Sequence, residues 1–316
     1  MRCVFLGIDT SCYTTSVALT DVTGRILLNQ RKMLPVKPGA CGLRQSDAVF
    51  EHIKNLSDFF EQLDLSSYGT IKAVCASEAP RPQTGSYMPV FLVSKAFGQS
   101  LASAAGAAYY PSTHQEGHLF SAHIDNPDLG ENYLAVHLSG GTGEILCVCQ
   151  QHTACQIEII GKTLDISAGQ VIDRVGVKMG YPFPAGNYIE KLAQSGRRQL
   201  PYKISVQDTD FNFSGLEAQA LRSLEEGVPE PDIALSIQHA VAKTIAQALI
   251  NAAEKKNICH VLLFGGVIVN EYIRSTLRQM LSQQNIAAFF AGQAYSGDNA
   301  CGLAQFARNK FLEEHE

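Results

Sequence analysis

The residues of this chain best suited to chemistry are two histidines four apart in the run HQEGH, His114 and His118. At that interval two imidazoles share one face of a helix, roughly 5–6 Å apart at their bases, so both can turn a ring nitrogen towards one cation. The order is not the zinc-protease run HExxH: Gln115 follows the first histidine, and Glu116 is expected to project away from the pair. A metal site needs a third ligand from elsewhere. Asp298 in SGDNACG is the candidate, a carboxylate at the beginning of a helix, where the backbone dipole keeps it ionised. The same residues also read without a metal, as two helix-surface histidines and a helix cap, and spacing alone leaves both readings open.

Two glycine-bearing turns suit a phosphate or a nucleotide. HLSGGTGE puts Leu138, Ser139, Gly140, Gly141 and Thr142 in a tight turn between strands, where glycines let backbone N–H groups approach phosphate and hydroxyls add donors. It is neither a Walker loop nor the dinucleotide-binding glycine pattern, and an ordinary hairpin turn would read the same way. FGGVIVN ends a strand in Gly265 and Gly266 ahead of a helix beginning near Asn270, a junction suited to adenosine or ribose, or simply to close packing. Asp173 lies on a helix facing solvent or a ribose, and Gly186, after PFPA, lets a nucleotide pass close to the backbone. The loop DTSCYTTS holds Asp9, Ser11, Thr14, Thr15 and Ser16, enough polarity to line a cleft. Asp9, Ser139 and Thr142 are the candidates for direct catalytic contact.

Elements must hold these residues in place. Residues 3–8, 16–19 and 25–33 read as consecutive antiparallel strands, the last two separated by the turn DVTG. A helix over residues 47–63 is expected to set Val49, Ile53, Leu56 and Phe60 on one side. IKAVCASEAP supplies a further strand, residues 89–109 a closely packed helix, and residues 112–124 the histidine helix, with Ser112 or Thr113 available to cap it. From Glu131, NYLAVHLSGGTGEILCVC repeats the layout of CVFLGIDTSCYTTSVALT, strand, polar turn and returning strand, so two similar sheet lobes are expected, 1–130 and 131–316. A helix follows over 163–179, then the loop GYPFPAGN and an irregular polar stretch over 197–212. A long helix over 231–253 spaces Ile233, Ile237, Val241, Ile245 and Leu249 regularly, and the closing helix is expected to return towards the first lobe.

Composition bounds the function. A formal net charge of −5 gives no strongly basic surface to hold a polyanion unaided, so a nucleic-acid partner needs a local patch or a helper protein. The opening MRCVFLGIDTS reads as a strand and not as a leader, because Asp9 interrupts the apolar run, and the apolar stretches elsewhere read as too short to cross a bilayer. Nine cysteines without a zinc-type CxxC pair point to reduced thiols in the cytoplasm, with no membrane partner.

FLGIDTSCYTTSVAL, HQEGHLFSA, HLSGGTGEI, GKTLDISAGQVIDRVGVKMGYPFPAGNYIEKLA, FNFSGLEAQ, FGGVIVNEYIR and SGDNACGLA occur in one order over nearly the full length. In that order they resemble the tRNA threonylcarbamoyladenosine transferase family, once misnamed O-sialoglycoprotein endopeptidases. The resemblance implies an α/β, two-lobed actin/sugar-kinase-like (ribonuclease H-like) fold with duplicated mixed sheets and a central cleft. It further implies one divalent metal, iron or zinc, on His114, His118 and Asp298, with Leu138 to Thr142 meeting the acyl-phosphate. Asp173, Gly186 and Asn270 would contact the nucleotide, as ATP, AMP or an acyl-adenylate. The implied reaction moves a threonylcarbamoyl group from AMP to N6 of a tRNA adenosine.

Departures fall close to that chemistry. Where the family reads ETSCDET this chain has DTSCYTT, with Tyr13 and Thr14 in place of an acidic pair; its SGGHT becomes SGGTG, with Thr142 at the histidine; its FSGLKT lysine becomes Glu217. Loss of two acids and a histidine changes proton transfer and local charge, and the chain reads as a divergent paralogue. Two functions follow as expectations: a metal-dependent transferase acting on tRNA or another acceptor, or a noncatalytic nucleotide-binding partner of a related family member, docking through the N-terminal lobe. Phosphorylation of a small molecule follows from fold analogy alone, and peptidase activity lacks a nucleophile with its base.

Overall fold

The computed structural model describes residues 2–11, 13–35, 43–151 and 153–315, so Cys12 and Cys41 lie outside the described residues. Along the chain run β1 (Cys3–Thr10), β2 (Thr14–Asp21), β3 (Ile26–Met33), α1 (Gln45–Gln62), α2 (Leu65–Tyr68), β4 (Thr70–Ala79), α3 (Phe91–Ala105), β5 (Ala108–Thr113) and α4 (His114–His123). There follow β6 (Asn132–Leu138), β7 (Gly143–Gln151), β8 (Ala154–Lys162), α5 (Ala168–Lys178), α6 (Gly186–Ala193), β9 (Ser205–Gln207), β10 (Asp210–Asn212) and α7 (Ser214–Glu225). The chain closes with α8 (Glu230–Lys256), β11 (His260–Phe264), α9 (Glu271–Ser282), β12 (Ala287–Phe290), α10 (Gln293–Ser296) and α11 (Cys301–His315). It divides into two compact units, one of Met1–Asp125, Gln151–Cys155 and Gly297–Glu316, the other of Asn126–Gln150 and Gln156–Ser296. Helix α11 therefore groups with the first unit.

Each unit is built on a five-stranded sheet, ordered β3-β2-β1-β4-β5 in the first and β8-β7-β6-β11-β12 in the second. The two orders correspond strand for strand. β1 runs antiparallel to β2 and parallel to β4, as β6 runs antiparallel to β7 and parallel to β11.

In the first unit β1 is covered on both faces, which is why its sequence is almost continuously apolar. Val4, Leu6 and Ile8 pack with Leu56 and Phe59 of α1 and Val93 and Ala102 of α3, whereas Phe5 packs with Leu303 and Ala307 of α11. Helix α11 lies unusually close to its neighbours. A Cβ on Gly7 would come within 2.3 Å of the Ala300 carbonyl oxygen, and one on Gly302 within 2.0 Å of the Gly117 carbonyl oxygen on α4. Two glycines, Gly7 and Gly302, thus let β1 and α4 each meet the start of α11 backbone to backbone.

The second unit is centred on α8, whose Ile233, Ile237, Val241, Ile245 and Leu249 are all fully buried, beside Leu134, Val136 and Leu138 of β6. This helix corrects the expectation that no apolar stretch is long enough to cross a bilayer. Glu230–Lys256 is long and apolar enough, but 72% of its most apolar stretch is buried in the protein, as a core helix requires. Two further expectations change. α5 begins only at Ala168, because Ser167 accepts the Gln170 N–H as its cap. α1 buries Ala48, His52, Asn55, Leu56 and Phe59, while Ile53 is 46% exposed. The buried face of α1 includes two polar residues, so a count of apolar positions alone centres it wrongly.

Candidate metal centre and glycine-lined turns

Helix α4 starts where the β5 backbone ends, and Thr113 caps it: Glu116 N–H donates to the Thr113 hydroxyl, while the Glu116 carboxylate accepts the Thr113 N–H at 2.9 Å. That reciprocal cap commits Glu116 to the helix terminus. It also sets His114 at the first position of the helix and His118 one turn on.

Asp298 lies on the segment leading into α11. It is not the cap of that helix, since the Asn299 side-chain oxygen accepts the Cys301 N–H at 2.9 Å. Its carboxylate faces the histidines instead. His118 Nε2 lies 3.2 Å from His114 Nε2, and Asp298 Oδ1 lies 3.3 Å from the first and 3.6 Å from the second. Four-coordinate zinc with ligands at about 2.0–2.1 Å separates neighbouring donors by about 3.3–3.4 Å. The three donor atoms therefore already stand at the spacing a tetrahedral cation requires, and they form the one group of potential metal ligands found among the described residues.

The surrounding groups aim these donors. His114 Nδ1 lies 3.1 Å from both oxygens of Asp9, which is 1% exposed, so Nδ1 donates to the carboxylate and Nε2 is turned towards the triad. Asp298 Oδ2 accepts the Ser11 hydroxyl at 2.6 Å, leaving Oδ1 to the histidines. Burial works to lower the pKa of His114, yet the Asp9 and Asp298 carboxylates overcome it and push it up to about 9. Burial would raise the Asp298 carboxyl, but His118, His114 and Ser11 together hold it well below the usual carboxylate range. A cation at this point would take over the role of that proton.

In the second unit the glycine turns converge. The carbonyl of Leu138 would lie 2.2 Å from a Cβ on Gly265, whose φ is +105°, so the end of β11 touches the end of β6 only because that residue is glycine. The Ser167 hydroxyl donates to the Gly140 carbonyl at 2.8 Å, bringing the start of α5 against the same turn. Ser139 Oγ accepts the N–H groups of Gly141 and Thr142, which leaves its hydroxyl hydrogen to donate elsewhere. Cβ atoms on Gly140, Gly141, Gly186 and Gly266 would meet open space, so packing does not explain these glycines. Asn270 spends its side-chain oxygen on the Ile273 N–H at 2.9 Å as the cap of α9, and only its NH2 group remains for a ligand.

Asp173 is half-buried on α5. It accepts the Ala185 N–H at 2.8 Å, and the Gly186 N–H as well, so it organises the start of α6; burial raises its pKa. The residues missed from sequence are those behind the ligands. Asp9 was legible as an acid but not as the partner of His114, and nothing marked His52 or Asn55, which sit within a helix of otherwise ordinary composition.

A model of the tRNA N6-adenosine threonylcarbamoyltransferase family matches residues 27–305. A protein of that name from Thermosipho africanus is 30% identical over 313 residues, covering 95% of this chain and 92% of the relative. Among solved structures, the activator of the 2-hydroxyisocaproyl-CoA dehydratase from Clostridium difficile, with bound ADPNP, superposes with a TM-score of 0.55 at 13% identity, covering 100% of this chain and 97% of that one. A ROK family glucokinase from Streptomyces griseus, in complex with glucose and AMPPNP, gives 0.55 at 12% identity, with 96% and 99% covered. The duplicated mixed sheets are those of the actin/sugar-kinase fold.

Proposed function

Because the chain belongs to the tRNA N6-adenosine threonylcarbamoyltransferase family, we propose that it is a metal-dependent transferase that takes an acyl-adenylate and passes a threonylcarbamoyl or related group to the N6 amine of a tRNA adenosine. The observation that carries this reading is the His114, His118, Asp298 triangle with a carboxylate behind one ligand and a hydroxyl behind another. His114, His118 and Asp298 would hold a divalent iron or zinc ion, which would supply Lewis-acid chemistry when bound. Asp9 keeps His114 in the tautomer that leaves Nε2 unprotonated, and Ser11 orients the Asp298 carboxylate. The Ser139 hydroxyl and the open backbone of Gly140 and Gly141 are the donors offered to the adenylate phosphate, with Gly265, Gly266 and the Asn270 amide offered to its nucleoside. In the transfer the amine attacks the acyl carbonyl, the bond from acyl carbon to phosphate oxygen breaks, AMP leaves with the electron pair, and the amine loses one proton. The same reading places the protein in the cytoplasm, where the thiols found free at Cys3, Cys75, Cys147, Cys149, Cys155, Cys259 and Cys301 stay reduced.

One observation favours the alternative, a noncatalytic nucleotide-binding partner of a related tRNA-modifying enzyme. Glu217 stands where the family has lysine, and it pairs with Arg174 at 3.3 Å, so neither charge is left whole for a phosphate. Purified protein with its native metal, given threonylcarbamoyl-adenylate and tRNA, separates the two. Threonylcarbamoyladenosine formed by the parent and lost in His114→Ala carries the transferase; tight nucleotide binding without turnover carries the partner.

A further inference from the structure

Behind the Asp298 ligand runs a buried hydrogen-bonded chain that begins on α1. His52, 0% exposed, places Nε2 2.7 Å from the Ser11 carbonyl oxygen and Nδ1 2.8 Å from Thr15 Oγ1. Asn55, one turn along the same helix, donates its amide to that hydroxyl oxygen at 3.1 Å. A carbonyl can only accept, so the ring hydrogen sits on Nε2, and Nδ1 accepts from Thr15. Burial lowers the pKa of His52, against the Ser11 carbonyl and the charges of Asp9 and Asp298, and so favours this neutral form. Ser11 then donates its hydroxyl to Asp298 Oδ2 at 2.6 Å, while Oδ1 of the same carboxylate faces His118 at 3.3 Å.

Each link in this chain has its direction set by the next. Asn55 turns the Thr15 hydroxyl, the hydroxyl turns the imidazole, and the imidazole holds the Ser11 backbone. A flat ring that accepts at one edge and donates at the other spans the gap between two strand-end residues, Ser11 and Thr15, with no rotamer freedom left once both bonds form. We propose that His52 is a positioning residue of the cation site: by anchoring the Ser11 carbonyl it fixes the Ser11 hydroxyl, which orients the Asp298 carboxylate so that Oδ1 faces the ion. His52 touches neither the cation nor substrate. Outer partners of metal ligands set ligand orientation, and their loss costs roughly 10–100-fold in metal affinity; His52 acts one bond further out and belongs at the lower end of that range.

The inference rests on the triad holding a cation, and cobalt(II) tests both steps separately, since its visible absorption reports coordination geometry independently of any catalysis. The protein is stripped with chelator, and its cobalt dissociation constant and spectrum are measured for the parent, His52→Leu, His52→Gln and Thr15→Val. The expected result is a loss of about tenfold in cobalt affinity for His52→Leu, with a changed spectrum. Thr15→Val should shift both in the same direction. Most of the loss should be recovered in His52→Gln, whose amide donates to Ser11 and accepts from Thr15. Should His52→Leu fail to fold, Thr15→Val decides. Unchanged cobalt affinity and spectrum in the folded variants, with only the melting temperature lowered, would make His52 a core residue and overturn the proposal. A parent that takes up no cobalt would remove the cation reading itself, and the proposal with it.

Discussion

The bond between Asp9 and His114 decides how the first histidine presents itself. A carboxylate on Nδ1 raises the basicity of the ring and directs its free lone pair, which is the arrangement a cation needs from an imidazole. Asp9→Ala should weaken zinc binding by roughly 10–100-fold, measured by competition with a chromophoric chelator. The same pairing makes the metal-free protein sensitive to alkali. His114 is raised from 6.5 to about 9 in the folded chain, so the folded state holds the extra proton between those values. Its stabilisation is complete below pH 6.5 and disappears as the pH rises through about 9. The urea midpoint of chelated protein should fall over that interval, and fall less in His114→Gln. A midpoint that declines equally in both would remove His114 as the cause.

Among the elements, the crossing of α4 and α11 governs the ion site, since α4 carries both histidines and α11 is entered directly after Asp298. The crossing depends on Gly302. A Cβ there would lie 2.0 Å from the Gly117 carbonyl oxygen and 2.5 Å from the Ser121 nitrogen, backbone atoms that cannot move aside alone. Gly302→Ala should therefore cost about 1–3 kcal/mol of stability by overpacking and lower metal affinity as well, because the helix that follows Asp298 must shift. Chemical denaturation together with metal titration reads both effects. Metal binding unaffected in a variant destabilised by that amount would separate the crossing from the ligand geometry. α1 makes a different point at this scale. It is amphipathic as the sequence expects, but its inward face spends His52 and Asn55 on the Ser11–Thr15 turn, so the helix supports the site as well as the core.

For the molecule as a whole, the three candidate ligands lie in one compact unit although α4 and α11 stand far apart in the chain. A cation bound only by the folded state ties these ends together and stabilises that unit by mass action, about 2.7 kcal/mol at a free concentration one hundred times the dissociation constant. Chelator should lower the melting temperature, and zinc should restore it in the parent but not in a His114→Ala, His118→Ala double variant. Hydrogen exchange followed with and without zinc should show the added protection concentrated in α4, α11 and the β1–β2 turn. Protection gained mainly in α5 to α9 would place the ion elsewhere.

The linear sequence determined the periodic features of this protein: the repeated strand, turn and strand layout, the apolar ladder of α8, the two histidines at helical spacing and the glycines at the strand ends. Each is a local pattern, set by backbone repeat and by the few residue types a turn accepts. Only the tertiary structure decided which acid serves which ligand. Asp9 with His114, Ser11 with Asp298 and His52 with Ser11 are all pairings between residues distant in the chain. Nothing in local spacing marks such partners, since they meet through the close packing of β1, α4 and α11 and the burial of His52 and Asn55 on α1. The same holds for Asp173, a helix residue by its pattern, whose Oδ1 accepts the Ala185 N–H at the start of the next helix.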